Sequence, residues 1–81
     1  MDEIKSFEFK VKNKKFKCQK ITGGNYIIKP FMETIRLNEI MDAVQEQTPY
    51  RVVNINEKIS RNSKNQISHK YYLAIVEPKV Q

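Results

Sequence analysis

Two runs of strict alternation, two residues apart, constrain this chain more than anything else in it. In Ser6-Phe7-Glu8-Phe9-Lys10-Val11-Lys12, the apolar Phe7, Phe9 and Val11 share one side and Glu8, Lys10 and Lys12 the other. Lys15-Phe16-Lys17-Cys18-Gln19 repeats the pattern, with Phe16 and Cys18 on the apolar side. Successive side chains of an extended strand point to opposite faces, so a period of two marks a half-buried strand. With Asn13-Lys14 as the turn, the two runs read as a hairpin that sets Val11 against Phe16 and Phe9 against Cys18. On the polar side the same register sets Lys12 against Lys15 and Lys10 against Lys17.

A hairpin alone is not stable in water; it needs more strands or a helix to cover its apolar face. The rest of the chain supplies both. Gly23-Gly24-Asn25 marks a turn, and Tyr26-Ile27-Ile28-Lys29 reads as a third strand closed by Pro30. Leu37, Ile40, Met41 and Val44 then recur at helical spacing, with Asn38 as the expected N-cap and Thr48-Pro49 as the stop. Residues 31–36 fit a helical turn or an extended stretch. Tyr50–Asn56 and Lys70–Val76 read as two further strands, the second apolar on both faces, with a polar mobile loop over 58–66 between them. The expected fold is α+β, β-β-β-α-β-β: one antiparallel sheet of about five strands with a single amphipathic helix on one face. At 81 residues, residues 1–81 make one domain, which buries roughly 60–65% of its unfolded surface.

Several function classes drop out. No apolar run approaches membrane-spanning length, so no membrane partner is expected. The start Met1-Asp2-Glu3-Ile4-Lys5 is polar and unlike a signal peptide, and the lone Cys18 forms no internal disulfide; together these point to a cytoplasmic protein. Neither the single His69 nor Cys18 has a partner at catalytic spacing. Thr22-Gly23-Gly24-Asn25 lacks the lysine and hydroxyl of a phosphate-binding loop, and no metal-binding pattern is present. We therefore expect no enzyme, no cofactor and no metal.

Charge gives the positive signal. The chain has 15 Lys plus Arg against 9 Asp plus Glu, a net +6. Residues 1–30 hold eight lysines against three carboxylates, residues 31–57 hold two arginines against five, and residues 58–81 hold five cations against one. The helix is thus the acidic element, with Glu39, Asp42 and Glu46 opposite its apolar stripe, and phosphates would repel it. The candidate nucleic-acid contacts are Lys10, Lys12, Lys15 and Lys17 on the hairpin, with Lys58, Arg61 and Lys64 on the loop. Lys70 and an adjacent tyrosine join them. Tyr71 and Tyr72 point to opposite faces, and Tyr72 is assigned to the face away from the helix, as a base-stacking platform. Like charges directly opposed across strands are destabilising, so the paired lysines raise a role in meeting a polyanion, set beside that of a solvated face whose lysines block edge-to-edge aggregation.

The expected function is a small basic accessory protein that binds nucleic acid, non-enzymatically, through the hairpin face and the basic loop. The alternative is a protein-interaction module, a regulator or inhibitor of the kind a phage or mobile element encodes. It would dock an acidic protein surface on the hairpin, or a basic one on Glu39, Asp42 and Glu46, or use an edge strand. Homodimerisation through strand 70–76 fits either expectation.

Overall fold

The computed structural model describes residues 6–79; the polar start read above as unlike a signal peptide lies outside them. The elements are β1 (Phe7–Val11), β2 (Lys14–Lys20), β3 (Tyr26–Lys29), α1 (Leu37–Gln47), β4 (Tyr50–Arg61) and β5 (Ile67–Pro78). A short 3₁₀ turn at Thr22–Gly24 joins β2 to β3. All five strands form one antiparallel sheet in the order β1-β2-β3-β5-β4, and the helix lies on one face of it, so the α+β architecture is as expected.

The first hairpin turns one residue earlier than the spacing predicts. Lys12 and Asn13 both take positive φ (50° and 67°), as a two-residue type I′ turn requires. The register shifts accordingly, pairing Phe9 with Phe16, Lys10 with Lys15, and Glu8 with Lys17. Parity is unchanged, so the strand residues keep their predicted faces, while Lys12 passes from the strand into the turn. The observed register stacks the Phe9 and Phe16 rings at 5.5 Å and replaces the expected Lys10–Lys17 opposition with Glu8–Lys17. That exchange of a repulsive pair for an attractive one is a physical reason for the shift.

The predicted apolar stripe faces the sheet, with Ile40 and Val44 wholly buried and Leu37 and Met41 packed at the margin. The N-cap lies two residues before Asn38: Arg36 takes that position, and its backbone N–H donates to the Glu39 carboxylate at 2.8 Å. Asn38 sits inside the helix as its second residue. Thr48 ends it as predicted, its Oγ1 donating to the Val44 carbonyl (2.7 Å) and accepting from the Tyr50 N–H (3.1 Å).

Helix α1 packs against β4 and also against β1, the two edges of the sheet. The rings of Phe7 and Tyr50, on opposite edges, approach to 4.9 Å, so the sheet curls around the helix. The helix end also seals the β1 edge. Gln47 accepts from the Lys10 N–H at 2.8 Å and donates through Nε2 to the Lys10 carbonyl at 2.6 Å, standing in for a missing strand.

Residues 31–36 are not helical; they hold a turn at Glu33-Thr34, where the Ile35 N–H donates to the Met32 carbonyl at 3.1 Å. Tyr72 anchors this segment: its hydroxyl accepts from the Met32 N–H (3.1 Å) and donates to the Met32 carbonyl (3.0 Å). Of the stretch predicted as a mobile loop over 58–66, the first four residues are strand and the other five form the turn. β4 continues to Arg61, β5 starts at Ile67, and Asn62 closes the turn by accepting from the Lys64 and Gln66 N–H groups. At about 3.3 Å per residue, these twelve-residue strands run about 40 Å, well past the end of β3.

Cys18 fills the core with no exposed surface, and burial pushes its thiol from 9.0 up to about 12. Unfolding frees a thiol that ionises near its ordinary value, whereas the folded one stays protonated. Cys18 therefore contributes stability in full below about pH 9 and loses it as pH rises towards 12. We expect the stability margin over Cys18→Ala to shrink across that window in urea titrations. At pH 8 the native thiol should resist an alkylating reagent that modifies the unfolded chain fully.

Candidate nucleic-acid interface

The alternation that buries one face of the sheet determines what the other presents. Phe9, Val11, Phe16, Cys18, Tyr26, Ile28, Val52, Ile55, Tyr72, Ala74 and Val76 face the helix. Their neighbours therefore face outward, where no other element of the described residues covers them. On this outer face Lys10 lies opposite Lys15, Lys17 opposite Lys29, Ile27 opposite Leu73, and Tyr71 opposite Lys58. Two residues along from the Ile27–Leu73 pair, each on its own strand, stand Lys29 and Tyr71. The result is a transverse row of Lys17, Lys29, Tyr71 and Lys58. It runs beside a less charged row of Gln19, Ile27, Leu73 and Asn56.

Charge divides by face. The outer face carries two described carboxylates, both engaged at its margins: Glu8 with Lys15 (3.4 Å) and Glu77 with Arg51. Glu33, Glu39, Asp42, Glu46 and Glu57 belong to the helix side. Two pairs of lysines, Lys10–Lys15 and Lys17–Lys29, remain directly opposed across strands. A sheet with no use for this field would gain by replacing one member of each pair.

Of the residues the sequence singles out, Lys10, Lys15, Lys17 and Lys58 come together on this face. Lys12 does not: it occupies the hairpin turn and pairs with Glu39 at 3.1 Å. Lys70 lies on the helix side, pairing with Glu33 at 3.2 Å above the ring of Phe31. Arg61 and Lys64 stand apart at the tip of the β4–β5 ribbon, where Arg61 donates to the Asn65 carbonyl at 3.1 Å. Tyr72 faces the helix and is fully buried, stacked on Phe31 at 5.1 Å, so it presents no platform. Tyr71, half-buried on the outer face, takes that place. Lys29 joins this face without having been singled out in the sequence, and Tyr71, weighed there beside Tyr72, is the tyrosine that faces outward. The parity of Cys18 and Ile28 would have placed Lys29 beside Lys17 once the strand order was known.

The alternative contacts also separate. Glu39 accepts from the Arg36 N–H and pairs with Lys12, which together hold its carboxyl below the ordinary value of 4.5. Asp42 and Glu46 are exposed on the helix. Strand β5 is interior, flanked by β3 and β4, and the second apolar side read from residues 70–76 is the outer-face pair Leu73 and Ile75, the latter 47% exposed.

His69 is exposed opposite Ser60 and, among the described residues, makes no hydrogen bond or ion pair that would orient its ring. Among the described residues, no three His, Cys, Asp or Glu side chains gather as a metal ion would require. No helix there is long and apolar enough to cross a membrane. No protein-family model, curated protein or solved structure matches this chain.

Proposed function

We propose that the protein is a small non-enzymatic nucleic-acid-binding protein that lays a single strand across the outer face of its sheet. One observation carries this reading: Lys17 and Lys29 are directly opposed beside the Tyr71–Lys58 pair on a face that no other element of the described residues covers. Lysines at these positions engage phosphates, while Tyr71, Ile27 and Leu73 offer flat apolar surface to unstacked bases. Such a face favours single strands, whose bases are free to stack, over a duplex, whose bases are already paired. Recognition through phosphates and stacking is largely independent of sequence.

Titrating fluorescent single-stranded and duplex DNA and RNA at several salt concentrations tests the reading. With about four or five phosphates neutralised, the log–log slope for a single strand is about −3. Absence of binding at about 50 mM salt, where such contacts are strong, defeats it.

A second reading has its own observation. Ile75, 47% exposed on the same face, extends the apolar strip of Ile27 and Leu73 beyond the lysines. An acidic protein surface with an apolar centre would fit this arrangement, and its binding would survive nuclease treatment.

A further inference from the structure

The β4–β5 ribbon carries a feature that the nucleic-acid reading does not use. β4 is an edge strand, paired on one side only, by β5. A bulge at Val53 interrupts its first part, and the irregularity near the tip adds Ser68 to β5, so β4 itself runs regularly from Asn54 to Arg61. The direction of its free hydrogen-bonding groups follows from alternation. The Ser60 carbonyl accepts from Ser68 Oγ on β5 at 3.2 Å, so Ser60 and Lys58 turn their backbone groups inward. Ile55, Glu57 and Ile59 therefore turn theirs outward.

Side chains on this edge are as specific as its backbone. Glu57, Ile59 and Arg61 share the helix-side face at i, i+2 and i+4, and all three are exposed, Ile59 at 51%. Glu57 has no ion-pair partner among the described residues. The series acid–apolar–base reads as its own complement when a second copy runs antiparallel. Centred on Ile59, such a pairing sets Ile59 against Ile59, and Glu57 against Arg61 twice. On the other face it sets Lys58 against Ser60.

Neighbouring registers are worse. Parity allows a shift only in steps that keep like faces together. One step back sets Lys58 against Lys58; one step forward sets Ile59 against Arg61 and leaves Glu57 beside the turn.

We infer that β4 is a homodimerisation edge, with a second copy of the chain paired antiparallel to Glu57–Arg61 about a two-fold axis through Ile59. The occupant is identified by self-complementarity: one strand supplies both the charges and the apolar centre that the interface needs. Such an axis stands perpendicular to the sheet. It keeps both outer faces on one side and joins two five-stranded sheets into one continuous surface. The pairing stands or falls independently of any nucleic acid.

Sedimentation equilibrium of the full chain without nucleic acid, over a wide concentration range, tests it. The wild type is expected to show a monomer–dimer equilibrium. Glu57→Arg and Arg61→Glu each convert attraction into repulsion at both symmetric pairs and are expected to weaken the dimer about ten-fold or more. Combining them restores the complement in reverse and returns the dissociation constant to near the wild-type value. Ile59→Cys brings two thiols onto the axis, where the Cα separation of a hydrogen-bonded pair, about 5.5 Å, suits a disulfide. It should cross-link under mild oxidation much faster than Val53→Cys. A monomeric wild type overturns the inference. So do single reversals that leave the dimer intact, or a double reversal that fails to restore it.

Discussion

Replacing Lys17, Lys29 and Lys58 together with glutamine is expected to lower affinity for single-stranded nucleic acid by roughly 100-fold or more at about 50 mM salt. Losing three phosphate contacts flattens the log–log salt dependence by about 2, and at low salt that slope accumulates to this size. The matching control neutralises three cations on the helix side, Lys12, Lys70 and Lys79, which are engaged by Glu39, Glu33 and the Gln45 carbonyl. Both triple variants have the same net charge, so a difference between them reports the face and not the total. Stability should hardly follow binding. Lys17 and Lys29 repel each other directly across β2 and β3, and neutralising both relieves a cross-strand penalty of up to about 1 kcal/mol. Losing the attractive Glu8–Lys17 pair offsets that gain, so the outer-face variant is expected to melt close to the wild-type temperature while it loses its ligand. Equal loss of binding in the two variants would show that net charge alone attracts the polyanion, and the assignment to the outer face would fail.

Face-level features of this fold were legible in the sequence because they depend on parity alone. The alternation of Phe7, Phe9, Val11, Phe16 and Cys18 assigns each residue a side whichever register the hairpin adopts. That is why the core and the outward direction of Lys10, Lys15 and Lys17 survive a turn displaced by one residue. Register is a finer matter. It depends on which two residues accept positive φ, and Lys12 is a poor predictor of that conformation because its side chain is not specialised for it.

Strand order was not legible at all. It rests on long-range pairing of β3 with β5, and without it nothing in the sequence brings Tyr71 and Lys58 to Lys17 and Lys29. The ribbon was hidden for a different reason. Ser60, Arg61, Ser68 and His69 are polar on both faces because the ribbon outruns the core, so they lack the apolar alternation that betrays a buried strand. The Tyr71-Tyr72 doublet failed for a third reason. Two adjacent tyrosines guarantee one on each face, yet either assignment is compatible with their composition. The deciding contact is the Met32 backbone, which is remote in sequence.

That doublet gives the second large effect, since its two members are expected to separate folding from binding. Tyr72→Phe removes one oxygen and leaves both the N–H and the C=O of Met32 without their partner. Unsatisfied groups in a part-buried setting make the expected loss about 2–3 kcal/mol. Against a total of about 4–12 kcal/mol for a domain this size, this is a large fraction, and it lowers the melting temperature by roughly 10–20 °C. Tyr72→Ala also empties core volume against Phe31 and should cost about 3–5 kcal/mol. Below its melting temperature, Tyr72→Phe keeps the outer face intact and should bind a single strand as the wild type does. Tyr71→Ala reverses the profile: stability changes by about 1 kcal/mol or less, since the side chain is half-exposed, while loss of one stacked base costs about 1–3 kcal/mol of binding. Thermal melts and salt-matched binding curves on the three variants distinguish the roles. A Tyr72→Phe protein that melts like wild type but binds poorly would mean that the two faces have been assigned the wrong way round.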